Sequence, residues 1–287
     1  MSLTDREQLS RWRQIGARHS EEVLELAPKV LKAGAAGEDE WAVREQLAFA
    51  ALDMGMVEWA SDQIRTLERQ FPGSPRVSIL AGLRFEALDQ PAEAKRVYEA
   101  ILRKDETNTS AHQRLISLSL PLGPSHTIPL LLTYLDTYYT DAQAWSLLAD
   151  LYCDLGMYPQ GLTALGHVLV IQGWDGGAVG RSGAVAFTMG DYQLALKFYL
   201  RAIEMATPPK GSVAEGKVRS RDWWGVRQST KRIIDEPSAS TSLSPDLVVS
   251  IEKVQALNQL ATEQLLRAGG AGLEERRVVL GGYGAKG

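Results

Sequence analysis

Four histidines and one thiol are the side chains of this chain best suited to nucleophilic or metal chemistry. His19, His112, His126 and His167 lie far apart, and none stands one helical turn from a second ligand or beside a Ser or Cys nucleophile motif. A helical zinc site needs ligands three or four residues apart, and a nucleophile needs a base within hydrogen-bond reach. Cys153 is the only cysteine, so no internal disulfide can form, which fits a reducing compartment. A free thiol in an apolar helix reads as a small core or groove residue rather than a nucleophile. Gly176-Gly177-Ala178-Val179-Gly180 has glycines enough for a phosphate cradle, but no strand precedes it, and a dinucleotide fingerprint needs that strand. These residues point to no enzyme, no metal, no cofactor and no small-molecule substrate.

The remaining candidate chemistry is electrostatic. Residues 210–232 carry seven cations against two acids, with two tryptophans in the middle. Arg219, Arg221, Trp223, Trp224, Arg227, Lys231 and Arg232 could meet anionic headgroups or an acidic protein. They could also stack on and neutralise a nucleic acid. A third use is structural, with the tryptophans packed on the preceding helices and the charges solvated. The whole chain carries net charge −4, which gives no support to nucleic acid as a partner. The N-terminus is charged from the fifth residue, unlike a secretory leader. No window reaches the ~18 apolar residues that a membrane span needs. The expected location is cytosolic, or peripheral to a membrane.

Along the chain, a period of 34 residues supplies the elements that hold these groups. Gly55, Asp89, Gly123, Gly156 and Gly190 recur at intervals of 34, 34, 33 and 34. Five residues after each comes Ala60, Ala94, Ile128, Gly161 or Ala195. Four further on stands Ile64, Tyr98, Leu132, Leu165 or Tyr199, and three beyond that Leu67, Ile101, Leu135, Val168 or Ala202. A turn residue tolerant of left-handed backbone, a small residue for close helix approach and a large apolar stripe describe a helix–turn–helix unit. At this period the unit is the tetratricopeptide repeat. The fold class is therefore all-α, a right-handed superhelical solenoid with helical caps at both ends. The expected divisions are an N-terminal cap over 1–40, five repeats over 41–209, a degenerate sixth repeat with flexible linker and closing helix over 210–267, and a disordered Gly-rich tail over 268–287. Pro28 is expected to kink the second cap helix. The glycines from Gly173 to Gly183 are expected to delay or shorten the first helix of the fifth repeat, at about 1 kcal/mol each.

A solenoid presents the first helix of each repeat to a continuous concave face. Repeat geometry places Glu45, Phe49, Leu52, Ile79, Leu83, Glu86, Gln113, Ser117, Leu120, Ser146, Asp150, Cys153 and Phe187 there. Repeats that clamp a C-terminal carboxylate present clustered Lys, Arg and Asn, whereas the corresponding positions here are Glu45, Phe49, Leu83, Ser117 and Asp150. These offer no cation, and Glu45 and Asp150 repel a carboxylate. The face suits an extended or helical polypeptide with apolar anchors, carrying basic residues to meet Glu45, Glu86 and Asp150.

Departures from the repeat carry a further signal. Arg69-Gln70-Phe71-Pro72-Gly73-Ser74 followed by Arg84-Phe85-Glu86-Ala87 closely resembles a segment of the family of subunit 2 of the endoplasmic reticulum (ER) membrane protein complex. So do Ala51-Leu52-Asp53, Thr107-Asn108-Thr109, Asp141-Ala142-Gln143-Ala144-Trp145 and Ala149-Asp150-Leu151-Tyr152. The resemblance runs from about residue 8 to 205 and fades beyond. It implies a non-catalytic scaffold on the cytosolic face of the ER membrane, in a complex that inserts tail-anchored and multi-pass proteins without ATP. It also implies partners, namely membrane subunits 3 and 5 and a soluble subunit 8 or 9. The contrasting reading is an independent repeat adaptor for a soluble chaperone or signalling protein.

Overall fold

The computed structural model describes residues 4–206, 220–268 and 273–281. It divides into two compact units, residues 1–130 and 131–287. The first holds α1 (Asp5–Gln14), α2 (Ser20–Lys32), α3 (Glu40–Asp53), α4 (Val57–Gln70), α5 (Pro75–Ala87), α6 (Pro91–Leu102), α7 (Thr109–Ser119) and the first half of α8 (Pro124–Thr137). The second holds the rest of α8, then α9 (Ala142–Asp154), α10 (Tyr158–Ile171), α11 (Gly176–Thr188), α12 (Tyr192–Ala206), α13 (Ser220–Asp235), α14 (Ile251–Arg267) and α15 (Leu273–Gly281). No strand occurs among the described residues. Within each unit the helices pack mainly on their neighbours in the chain.

Backbone geometry explains the period. All five recurrent turn residues have positive φ: 72° at Gly55, 55° at Asp89, 96° at Gly123, 71° at Gly156 and 83° at Gly190. Asp89 is the one non-glycine with this conformation among the described residues, and Asp is among the few side chains that tolerate it. The small and apolar positions that follow are buried as the pattern requires in four repeats: Ala60, Ile64, Leu67; Ala94, Tyr98, Ile101; Gly161, Leu165, Val168; Ala195, Tyr199, Ala202.

The third repeat departs from the expected register. Leu132 is 40 % exposed, while Thr127, Leu131 and Tyr134 are buried with Leu135. The cause lies in the turn. In the other four repeats the second helix starts two residues after the turn residue, but α8 starts at Pro124, directly after Gly123. Its inward face moves back by one position, and the same missing residue makes one interval 33 rather than 34. Thr127 takes the place of the usual small residue, and its hydroxyl accepts a hydrogen bond from buried Ser119 at 3.0 Å.

Four further expectations are corrected. The glycine-rich α11 is neither delayed nor short, since it begins at Gly176 and matches α9 in length. Asp175 caps it, its carboxylate accepting from the Gly177 and Ala178 N–H groups. Its glycines are also seats for neighbours: a Cβ at Gly180 would stand 2.8 Å from Asp222 Oδ1, and one at Gly183 3.1 Å from the Tyr199 ring. Gly225 on α13 meets the same ring, where a Cβ would lie 2.6 Å from Tyr199 Cδ1. One aromatic ring of α12 thus sets the distance to both adjoining helices. The segment after α13, expected as a flexible linker, is tied to the first turn of α12. The tail, expected to be disordered, carries α15, with Leu280 buried and Arg276 Nη1 donating to the Leu265 carbonyl. α2 continues through Pro28 as one helix from Ser20 to Lys32.

Candidate partner-binding face

The first helices of successive repeats are joined by arginine–carboxylate pairs. Arg76 of α5 donates from Nε to Glu45 of α3 at 2.5 Å. Arg114 of α7 holds Glu86 of α5 through two hydrogen bonds, Nε to Oε1 at 3.0 Å and Nη2 to Oε2. In the second unit, Arg181 of α11 donates to the Ser146 hydroxyl of α9 at 2.6 Å and pairs with Asp150. The three acids expected to await a basic partner therefore meet arginines of their own chain. Each arginine lies 28 or 31 residues downstream, on the next first helix, so the pairing becomes visible only when the repeats stack.

The central pair is the most buried. The Glu86 side chain is 18 % exposed and Arg114 33 %. Tyr98, fully buried on α6, donates its hydroxyl to Glu86 Oε1 at 2.6 Å. Burial, with the Glu86 carboxylate as its hydrogen-bond acceptor, pushes the Tyr98 phenol well above its ordinary range. The ring lies against Gly82, where a Cβ would stand 2.5 Å from Cζ and 2.7 Å from the hydroxyl. One residue each from α5, α6 and α7 so forms a single polar node above a glycine seat.

The apolar positions divide by depth. Phe49 and Leu83 are half-buried and pack on the cluster of Ala48, Ile64, Leu67, Val77 and Leu80. Ile79 packs on the next cluster, around Tyr98 and Leu115, and Leu52 is half-buried. Gln113, Ser117 and Leu120 are exposed on α7 and its end. In the second unit Asp150 is exposed, and Phe187 is half-buried with its ring 5.3 Å from that of Tyr192. Cys153 is half-buried, and burial together with the Asp150 charge raises its thiol pKa, which keeps it an unreactive thiol. Its sulfur faces Gly161, where a Cβ would be 2.8 Å away.

A hollow of about 280 Å³ opens beside this face in the first unit, lined by Trp12, Arg18, His19, Glu45, Phe49 and Arg76 among others. Arg18 lies over the Phe49 ring and pairs with Asp53. A larger hollow of about 780 Å³ lies among α6, α7 and the start of α8, with Leu115, Leu118, Leu122, Pro129 and Leu130 in its lining. The repeat pattern does not mark it. Its signal in the sequence is the apolar character of α8, whose sole charged residue is Asp136. In the second unit Val170 and Trp174 are 85 % and 79 % exposed at the end of the uncharged helix α10, and the period does not mark these either.

The basic stretch is largely absorbed into the fold where it is described. Trp223 packs on the cluster around Tyr199, Val226, Ile233 and Val254, and Trp224 is half-buried. Arg227 Nε donates to Thr262 of α14 at 3.1 Å. Arg232 pairs with Glu236 and lies over the Tyr192 ring. Arg221 is exposed and Lys231 half-buried. Lys210, Lys217 and Arg219 lie outside the described residues. No helix among the described residues is long and apolar enough to cross a membrane.

No family model matches the chain. Among curated proteins it is 31% identical to ER membrane protein complex subunit 2-A of Xenopus laevis over 249 residues, covering 85% of this chain and 80% of the relative. Subunit 2 of the same complex in Xenopus tropicalis is 30% identical with the same coverage. TPR repeat protein oca3 of Schizosaccharomyces pombe is 29% identical over 71% of each chain. The C-terminal part of a TPR repeat-containing protein from Cytophaga hutchinsonii superposes with a TM-score of 0.62 at 14% identity, covering 94% of this chain and 98% of that one. That likeness establishes the all-α tetratricopeptide-repeat fold.

Proposed function

The chain belongs to the ER membrane protein complex subunit 2 family, and from that premise we propose that it is a non-catalytic scaffold subunit of such a complex. It works at the cytosolic face of the ER membrane, held there by its partners. Its repeats grip the cytosolic parts of membrane subunits 3 and 5, together with a soluble subunit 8 or 9. In this way it supports ATP-independent insertion of tail-anchored and multi-pass proteins, while the insertion path belongs to the membrane subunits.

The observation that carries this reading is the extent of the similarity, 85% of the chain against relatives named as that subunit. The geometry favours polypeptide over small-molecule partners. In the first unit, with Glu45 and Glu86 paired internally, the first helices offer Phe49, Leu52, Ile79, Leu83, Gln113, Ser117 and Leu120 as a largely uncharged face. In the second unit, taken by itself, Asp150 is paired with Arg181 and Phe187 is half-buried. An extended or helical segment with apolar anchors suits the uncharged face, and a carboxylate-terminated chaperone peptide does not.

Affinity purification from detergent-solubilised membranes tests the proposal. Recovery with integral membrane subunits is the expected result. Recovery as a free monomer, or with a soluble chaperone alone, would sink it in favour of an independent adaptor.

A further inference from the structure

The segment 236–250 is fastened to the body of the second unit at two points on the first turn of α12. Asp191, 7 % exposed, is the first point. Its Oδ1 accepts from the Thr241 hydroxyl at 2.7 Å and from the Leu194 N–H at 3.1 Å. Its Oδ2 accepts from the Ser242 N–H at 2.8 Å and from the Ser242 hydroxyl at 2.6 Å. A carboxylate has about four lone-pair sites, and here each has a donor. Gln193 is the second point, its amide bonding both the N–H and the carbonyl of Val249. Between the two points the chain is open to solvent: Ser242, Ser244, Pro245, Asp246 and Leu247 are exposed.

We propose that Ser242 is a phosphorylation site for a serine/threonine kinase and that its modification releases this strap from α12. Transfer forms an O–P bond between Ser242 Oγ and the γ-phosphorus of ATP, breaks the β–γ phosphoanhydride and releases ADP, and the hydroxyl proton leaves with the kinase base. Two effects then act on one carboxylate. Asp191 loses the shortest of its four hydrogen bonds. A group of charge about −1.5 to −2 takes the position of that donor beside a buried anion. Ser242 lies among a run of hydroxyl residues, 238–244, but it is the one whose oxygen and N–H both face Asp191, so its modification carries the repulsion. The strap exposes Ser242 at a bend on a segment without helix between α13 and Pro245, so a kinase can reach it once the strap opens locally. Release would leave α14 in place, because Val254, Ala261 and Leu265 are buried against the unit by apolar contact. It would uncover the side of Tyr192, Gln193 and Ile233 that Pro237, Ala239 and Ser240 now border.

The test uses the full chain with phosphoserine installed at position 242, followed by amide hydrogen exchange. Amides of 241–249 are expected to exchange at least tenfold faster than in the unmodified protein, while those of α14 change less than twofold. Ser242→Ala, which keeps the N–H bond to Asp191, is the control for loss of one donor and is expected to give a smaller acceleration. In an Asp191→Asn background the phosphoserine effect is expected to shrink below threefold, because the repulsion is gone. Acceleration no greater than that of Ser242→Ala, or the same with and without the Asp191→Asn substitution, would overturn the proposal. Phosphopeptide mapping of the chain from its own cells is expected to find phosphate on Ser242; phosphate confined to Ser238, Ser240 or Ser244, or absent from the strap, would overturn it as well.

Discussion

Gly82→Ala is expected to destabilise the first unit, although alanine is the better helix former. In an open helix position this exchange gains about 1 kcal/mol. At Gly82 the added methyl would stand 2.5 Å from Tyr98 Cζ, well inside van der Waals contact. The ring cannot swing aside freely, since it is fully buried and its hydroxyl is held by Glu86. Overpacking of this kind costs about 1–3 kcal/mol. Displacing the ring also strips a donor from a charged acceptor, another ~1.5–3 kcal/mol. The loss outweighs the gain, for a net destabilisation of about 1.5–5 kcal/mol from those same terms. Gly166→Ala on α10 is the matched comparison, since a Cβ there meets nothing within 4 Å and the residue is exposed. It is expected to raise stability by up to ~1 kcal/mol. Urea unfolding of the full chain, followed by far-UV circular dichroism, reads both. If Gly82→Ala stabilises the protein as Gly166→Ala does, the close seat of Tyr98 on α5 is wrong.

The arginine pairs should be graded by burial: Arg114→Ala is expected to lower stability by about 1–3 kcal/mol, because it strands a largely buried Glu86. Arg76→Ala removes a side chain that is 78 % exposed but leaves Glu45, 14 % exposed, without it, so a loss of about 1 kcal/mol, the low end of that range, is expected in the same urea titration. Because the folded-state Tyr98 pKa is raised, its stabilising effect is complete below the ordinary tyrosine value of about 10 and is lost as pH rises beyond it. Thermal melts from about pH 8 to 11, spanning that value, should show an alkaline fall that Tyr98→Phe makes shallower. Asp191 shows the opposite sign: burial raises its pKa, but hydrogen bonds from Ser242, Thr241 and Leu194 leave it lowered. Its contribution holds above the ordinary carboxylate range and fades as pH falls below it, so protection of the 241–249 amides should persist to about pH 5 and weaken only in stronger acid. Leu83→Asp and Phe49→Asp are expected to abolish co-purification with membrane subunits while the isolated chain still unfolds cooperatively; loss of that cooperativity would make these residues core rather than contact.

The repeat was legible in the sequence because its signals are local. A turn glycine, a small residue five positions on and an apolar stripe belong to one helix–turn–helix unit, and four units buried the residues that the spacing selected. The third did not, because one residue absent from a turn rotates everything after it, and an apolar run such as Leu130-Leu131-Leu132 hides which leucine faces inward. Glycines inside helices misled for a related reason. Propensity counts Gly180 and Gly183 as breaks, whereas the fold uses them as space for Asp222 and Tyr199, residues on other helices. The candidate face was legible in its residue types but not in its electrostatics. Arg76 and Arg181 stand 31 residues from their acids and Arg114 stands 28, and such long separations reveal no partners until the first helices stack. The tie between Asp191 and Ser242 crosses 51 residues and left no trace beyond a hydroxyl-rich composition, which reads as a linker.

Tyr199, packed against both Gly183 and Gly225, has a consequence for how this chain can vary. The distance from α12 to α13 is written into one ring and the glycine that receives it. Neither glycine can take on a side chain while the ring stays, and the ring cannot be lost without opening a gap between packed helices. Positions 183, 199 and 225 are therefore bound to change together or not at all, and a relative with a larger residue at either glycine position is expected to carry a smaller one in place of the ring.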